Sequence, residues 1–357
     1  MRFLFLTDST DPGRSGVGDY TLQLAQQLQY LGLDARVECF GIEGSATRAT
    51  LVDRVLSHRA DWISHQFVPY SLSPRGFVGP HTLPWRQLRG TVGTHFMFHE
   101  IWIGGSQGAS FRDRLIGSTQ RRGIRKILPL LQPNRVHCSN PLYQAMLSRV
   151  GIQARVLPLF GSVPIASNPN DPYFFLIEGF APLSSRDNWL VLAFFGNLYP
   201  CANLTAAISW LHSLSARQGK SLLVVSLGHS SAAHSTFEQL SSHHNASNIK
   251  FFIKGPIDTS SLSPWLQCAD LAFSTTPYNI IQKSSSAVAF AEHGVPVVVV
   301  DPGTPIRSLP FTPSDLSPDY WLFGDPRLNP PNCLPPHRPP MARLPHVAAQ
   351  LLADLAA

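Results

Sequence analysis

Charge is scarce in this chain. Only 14% of its 357 residues are Asp, Glu, Lys or Arg, against roughly a quarter in ordinary soluble domains, while 44% are hydrophobic. Such a composition excludes an intrinsically disordered chain. Cysteine is scarce too: Cys39, Cys138, Cys201, Cys268 and Cys333 are five in number, widely spaced and without a C-x-x-C pair. That excludes a disulfide framework and a cysteine-type structural zinc site, and it fits a reducing cytosol. Long apolar runs are missing, since none approaches the roughly 18 uncharged residues of a spanning helix. The first apolar run, 3–6, meets Asp8 too soon for a signal peptide. The expectation is a folded cytoplasmic protein, soluble or peripheral at the inner membrane face.

What charge there is leans positive. Lys and Arg number 28 against 22 acidic residues, a balance of +6, which suits phosphate-bearing ligands or an anionic membrane surface. Arg112, Arg114, Arg121, Arg122, Arg125 and Lys126 share one predicted helix, opposed only by Asp113. A basic helix face is most often simply solvated; the functional alternative is contact with anionic lipid or a phosphorylated acceptor. Few aromatics interleave with these charges, so no nucleic-acid partner is expected.

The length is about twice that of a typical domain and predicts two domains. Apolar runs of strand length at 3–6, 35–40, 62–67, 91–94, 135–139 and 156–159 alternate with helical periodicity at 19–31, 46–58, 111–131 and 141–150. This βα alternation predicts a parallel sheet with helices on both faces. The stretch 162–172, rich in Pro, Asn and Asp, reads as a linker. A second series follows, with strands at 189–195, 222–227, 249–253, 271–274 and 295–300 and helices at 202–216, 233–241, 262–268 and 284–292. The tail 302–346 holds 13 prolines and is expected to be an extended loop. The last apolar helix, 347–356, needs a partner surface. The expected division is a first domain at 1–165, a second at 166–345 including the Pro-rich tail, and a helix at 346–357 docking back.

Several segments could carry chemistry. Gly16 and Gly18 lie between the first strand and the first helix, where helix amides favour an anion and glycine allows close backbone approach. A dinucleotide-binding reading places Glu38 near a ribose, but the third glycine position of G-x-G-x-x-G is Thr21 and the preceding loop is long. His95 and His99 follow the fourth strand. Their spacing of four would suit a metal only on a helix, so no metal site is expected. One of the pair reads as structural, and His99 reads as a group that contacts a sugar hydroxyl or a developing oxyanion. Lys283, Ser284, Ser285 and Ser286 precede an apolar helix, where ammonium, hydroxyl and backbone donors can converge on a diphosphate. The bland alternative is a Ser-rich helix cap.

In their order, several segments resemble the GT-B glycosyltransferases, specifically the retaining, family-4-like group that contains sucrose- and mannosyl-type enzymes. The segments are 16–20 (GVGDY), 61–67 (DWISHQF), 99–102 (HEIW), 195–198 (FGNL), 252–257 (FIKGPI), 268–271 (CADL) and 291–298 (AEHGVPVV). The resemblance spans about residues 1–305 and implies two Rossmann-like α/β domains facing a cleft. It implies that the first domain holds the acceptor and the second a nucleotide-diphosphate sugar. Gly16 and Gly18 would then face the donor phosphate or sugar, His99 would sit by the transferred sugar, and Gly255, Pro256 and Ile257 would pass the base. The family's diphosphate-binding arginine position is Asn197, residues 199–203 contain no Lys, and the family's glutamate pair falls at Gln282 and Ala289. That moves the task of holding diphosphate to Lys283 and the 284–286 amides. The expected activity is retaining, metal-independent sugar transfer to a carbohydrate or lipid-linked acceptor, with no cofactor and with His99 and Lys283 as the catalytic pair. A catalytically silent glycan- or nucleotide-binding partner subunit is the alternative, and an NAD-dependent oxidoreductase is a third reading.

Overall fold

The computed structural model describes residues 1–11, 15–39, 53, 55–79, 92–166, 186–244, 247–307, 309, 319–328 and 333–357. The chain forms two compact units. One comprises Met1–Leu159, Thr304–Phe311 and Leu344–Ala357, the other Phe160–Gly303 and Thr312–Arg343.

The first unit is built on a six-stranded sheet of β1 (Arg2–Thr7), β2 (Asp34–Cys39), β3 (Trp62–Phe67), β4 (Gly93–Phe98), β5 (Arg135–Cys138) and β6 (Arg155–Val156). The order is β2-β1-β3-β4-β5-β6 and every pairing is parallel. Phe3 to Leu6 are almost wholly buried, as a parallel strand covered on both faces requires. Gly93 lies opposite Trp62, and a Cβ there would come within 2.5 Å of the indole. Helix α1 (Gly16–Tyr30) starts where Ser15 accepts from the Gly18 amide, and it buries Leu24, Ala25 and Leu28. Helix α2 (Phe111–Leu131) follows β4, and α3 (Pro141–Ser148) starts with proline at its first turn behind the Asn140 cap. Of the helix expected over 46–58, only residues 53 and 55–58 are among those described, and 53 and 55–57 are helical.

The second unit repeats the plan with β7 (Trp189–Phe195), β8 (Ser221–Leu227), β9 (Ile249–Gly255), β10 (Leu271–Ser274), β11 (Val297–Val299) and β12 (Tyr320–Leu322). Helices α4 (Leu204–Arg217), α5 (Ala233–His243), α6 (Thr259–Gln267) and α7 (Ser285–Glu292) connect them. The order β12-β11-β10-β7-β8-β9 is parallel throughout. Alternate residues serve two cores: Val191, Ala193, Val225 and Val297 face the side that carries α6 and α7, while Leu190, Leu192, Val224 and Val298 face the side that carries α4 and α5. Two buried faces explain the unbroken apolar runs of these strands. The proline-rich tail is not loop throughout, because Tyr320–Leu322 pairs with β11 as β12. Three apolar residues suffice for an edge strand there, and the surrounding prolines hide them from a reading of periodicity.

The last helix, α8 (Leu344–Ala356), packs on α1 and buries Val347, Ala348, Leu351 and Leu355. Gln350 donates to the Val156 carbonyl at 2.9 Å. Both sheets together meet the expected α/β class of two doubly wound units. No helix among the described residues is long and apolar enough to cross a membrane.

Candidate functional site

Strand order fixes where a ligand can enter the second unit. Counted from its own first strand the sheet runs 3-2-1-4-5-6, so its winding reverses between β7 and β10. At such a reversal the connections leave in opposite directions and open a crevice at the carboxyl ends of the strands. A cavity of about 300 Å³ lies there. Phe194, Phe195, Asn197, Leu198 and Tyr199 line it from the end of β7, Phe273 to Thr276 from the end of β10, and Ile280, Lys283 to Ala287 and Phe290 from the turn into α7 and its first turns.

Donors dominate the polar part of this wall. Ser284 is the cap of α7, accepting from the Ala287 amide at 3.4 Å, and the amides of Ser285 and Ser286 have no carbonyl within the helix to receive them. The helix dipole adds partial positive charge at this end. Lys283 brings a full charge from the last residue of the 3₁₀ turn Tyr278–Lys283. Gly196 has φ +74, and a Cβ there would approach Ser286 Oγ to 2.8 Å, so glycine keeps this side open. The Tyr199 amide donates to Thr275 Oγ1 at 2.8 Å and ties the two strand ends together.

Asn197, Lys283, Ser284, Ser285 and Ser286 are therefore gathered on one cavity. Gly255, Pro256 and Ile257 do not line it. Gly255 ends β9, two strands from β7, and Pro256 and Ile257 follow it; the Gly255 carbonyl accepts from the Gly228 amide at 2.8 Å. Glu292 sits at the far end of α7, accepting from the amides of Gly161 at 2.9 Å and Arg343 at 3.1 Å. Burial raises its pKa against those hydrogen bonds.

In the first unit the reversal falls between β1 and β3. Gly18 is required by packing, since a Cβ would lie 2.4 Å from the Ser9 carbonyl oxygen, whereas Gly16 has open space. Ser15 donates to the Asp8 carboxylate at 2.9 Å, so a carboxylate already stands beside this helix start. Residues 12–14 lie outside the described residues. His99, just past β4, is only 4% exposed. Its Nε2 lies 2.7 Å from Gln66 Oε1, and the Tyr20 ring meets it edge-on at 4.8 Å. Glu38 pairs with His58 at 3.0 Å.

A second cavity, of about 550 Å³, opens in the first unit. Trp102, Met146, Val150, Ile306 and Leu309 give it an apolar wall, and Arg114, Arg121, Arg149 and Arg307 surround that wall with charge. Two of the arginines belong to the basic helix α2; Arg112, Arg122, Arg125 and Lys126 are exposed outside the cavity. The helix can press close because Gly117 and Gly123 meet the carbonyls of Ile103 and Val78, where a Cβ would come within 1.8 and 2.2 Å. Arg149 and Arg307 carry no sequence motif. Residues 304–307 reach this cavity by pairing, with the Gln107 amide donating to Pro305 and the Arg307 amide to Gly105.

No protein-family model and no curated protein sequence matches the chain. Among solved structures it is similar to HepE of Anabaena, in complex with UDP and glucose, at 16% identity over 85% of this chain and 81% of that one, with a TM-score of 0.47. A putative UDP-N-acetylglucosamine 2-epimerase from Listeria monocytogenes is similar at 10% identity over 85% and 80%, with a TM-score of 0.49. A glycosyltransferase from Rickettsia africae is similar at 11% identity over 99% and 88%, with a TM-score of 0.48.

Proposed function

We propose that the protein is a glycosyltransferase that moves a sugar from a nucleotide-diphosphate donor to an anionic, lipid-linked or carbohydrate acceptor with retention of configuration. The observation that carries this reading is the convergence of Lys283, the Ser284–Ser286 donors and Asn197 on the crevice between β7 and β10. As the anomeric bond breaks, negative charge grows on the leaving diphosphate. Donors already aimed at it stabilise the transition state more than the bound donor, which lowers the barrier. Lys283 supplies the charge and the serines supply directed hydrogen bonds. Gly255, Pro256 and Ile257 stand two strands along the rim, about 10 Å away, and are assigned to the base. Within the first unit itself, the groups we assign to sugar hydroxyls are the open backbone at Gly16, the Asp8 carboxylate and His99, while Gly18 serves packing against Ser9.

The arginine-lined cavity is assigned to the acceptor, whose phosphate would meet Arg121 and Arg149 and whose apolar part would meet Trp102 and Met146. The exposed charges of α2 extend this surface toward an anionic membrane. Retention by vesicles of anionic lipid that fades as salt rises is the expected behaviour, and equal retention on neutral vesicles contradicts it.

Calorimetric titration with a panel of nucleotide sugars tests the donor site. Binding that Lys283→Ala weakens supports it, and no binding by the native protein to any member removes its basis. Asn197, and a Glu292 that is buried and engaged by the Gly161 and Arg343 amides away from the cavity, favour a second reading, a silent binding partner. Nucleotide binding without turnover on any acceptor would establish that reading instead.

A further inference from the structure

Polar side chains form a single file through the first unit. On α8, Asp354 Oδ2 lies 3.0 Å from His137 Nε2, and His137 Nδ1 lies 2.9 Å from His95 Nε2. His95 Nδ1 lies 2.8 Å from Ser64 Oγ, Ser64 Oγ lies 2.7 Å from Gln66 Nε2, and Gln66 Oε1 lies 2.7 Å from His99 Nε2. Ser64, Gln66, His95, His99 and His137 are all at most 4% exposed. The file crosses β3, β4 and β5, where Ser64 stands opposite His95, and it uses alternate positions of β3, which share a face.

One end of the file dictates every bond in it. Burial alone would raise the Asp354 carboxyl, but hydrogen bonds from His137 and Arg155 hold it below the usual range, so it is ionised and can only accept. His137 must therefore carry its hydrogen on Nε2. Burial pushes His137 and His95 down and keeps both neutral, so His137 Nδ1 accepts and His95 Nε2 donates to it. His95 Nδ1 then accepts the single hydroxyl hydrogen of Ser64. Having given its hydrogen away, Ser64 can only accept from the Gln66 amide nitrogen, which turns the Gln66 oxygen toward His99 Nε2.

We propose that Asp354 is a positioning residue: acting through His137, His95, Ser64 and Gln66, it fixes His99 as the Nε2–H tautomer, with Nδ1 an acceptor. The tautomer follows from the side chains alone, while its bearing on sugar transfer rests on the reading of His99 as the group beside the sugar. The C-terminal helix thus does more than cover an apolar face.

The file can also run backwards, which makes the inference testable. Arg155 donates to the other oxygen of Asp354. In Asp354→Asn the remaining oxygen stays with Arg155, and the new NH₂ faces His137 Nε2 as a donor. Every bond then reverses: His137 and His95 donate from Nδ1, Ser64 donates to a flipped Gln66 amide, and Gln66 donates to His99 Nε2. Packing is unchanged. Ring nitrogen shifts of ¹⁵N-histidine in the full chain read the tautomers directly. In the native protein His95, His99 and His137 are expected as Nε2–H, and in D354N all three as Nδ1–H. A native His99 that is cationic or protonated on Nδ1 overturns the proposal, as does a D354N protein in which His137 switches and His99 does not.

Should D354N fail to fold, Ser64→Ala divides the file. His95 and His137 should keep Nε2–H while His99 loses its single tautomer; an unaltered His99 spectrum overturns the proposal. In a transfer assay, D354N should lower kcat by about 10–100-fold, the range seen when a ring-orienting partner is removed, with donor affinity unchanged. A native protein without turnover would refute the transferase reading yet leave the tautomer result standing.

Discussion

Both units place six parallel strands in a doubly wound order, yet they bury different things. Through the middle of the second sheet, Leu190 to Phe194 and Val297 to Val299 are apolar and fully enclosed, and its candidate donors stand at the rim, on Asn197 and Lys283 to Ser286. The first sheet carries Ser64, His65, Gln66, His95 and His137 inside the layer itself. On the proposed reading, stability and ligand recognition are separable in the second unit, because different residues would supply them. In the first they are joined, since the side chains that orient His99 also fill the core and hold α8.

Substitutions separate the two cases. His95→Ala should be the most damaging, because it opens a cavity and leaves His137 and Ser64 with unmet hydrogen bonds. A loss of about 4 kcal/mol is expected, read by urea denaturation, and a loss under about 1 kcal/mol would show that the polar file is not structural.

Acid should act on the same side of the comparison. Burial holds His65 at about 3 and lowers His95, by burial first and by neighbouring histidines second, and also His137. Histidine in the unfolded chain titrates near 6.5. Below that value the unfolded state binds more protons than the folded one, so this stability is present above about pH 6.5 and is lost as the pH falls. His65, held at about 3, costs about 1.4 kcal/mol by pH 5.5, and the lowered His95 and His137 act in the same direction. In the second unit burial lowers His293 and His244 in the same way, but the raised Glu292 binds its proton more tightly when folded and opposes them. Hydrogen exchange between pH 7 and 5.5 should therefore show the first sheet opening before the second, and the reverse order would contradict the comparison.

At the rim of the second unit the expected signature is opposite. Lys283→Ala should cost about 3–4 kcal/mol in the transfer barrier, roughly 100- to 1,000-fold in kcat, with stability changed by no more than about 0.5 kcal/mol. Thermal melting beside steady-state rates reads both, and a large stability loss would mean that Lys283 belongs to the core. Gly196→Ala is the mildest. Its φ of +74 and the nearness of Ser286 Oγ predict a loss of about 1–2 kcal/mol together with weaker nucleotide binding.

The contrast also explains what a reader of the sequence can see. Parallel βα winding was legible because the strands of the second unit are short unbroken apolar runs and the helices between them keep helical spacing. The Lys283–Ser286 cluster was legible because it stands just before the apolar stretch that becomes α7. Strand β12 was hidden, its Tyr320–Leu322 too short to stand out among prolines. The partners of His99 were hidden for another reason: His137 and Asp354 are 217 residues apart, and only the folded sheet aligns them. A polar triplet, Ser64-His65-Gln66, inside an otherwise apolar strand was the one available signal. Arg307 joins the second cavity through a loop far along the chain from α2, and no local pattern announces that.

Hydrogen exchange of the native protein with and without a nucleoside diphosphate probes the donor site most directly. Protection should appear at the amides of Ser285 and Ser286 and in the loop 197–199, and Lys283→Ala should diminish it. Unchanged exchange at the start of α7, or protection confined to the first unit, would contradict a diphosphate held between β7 and β10.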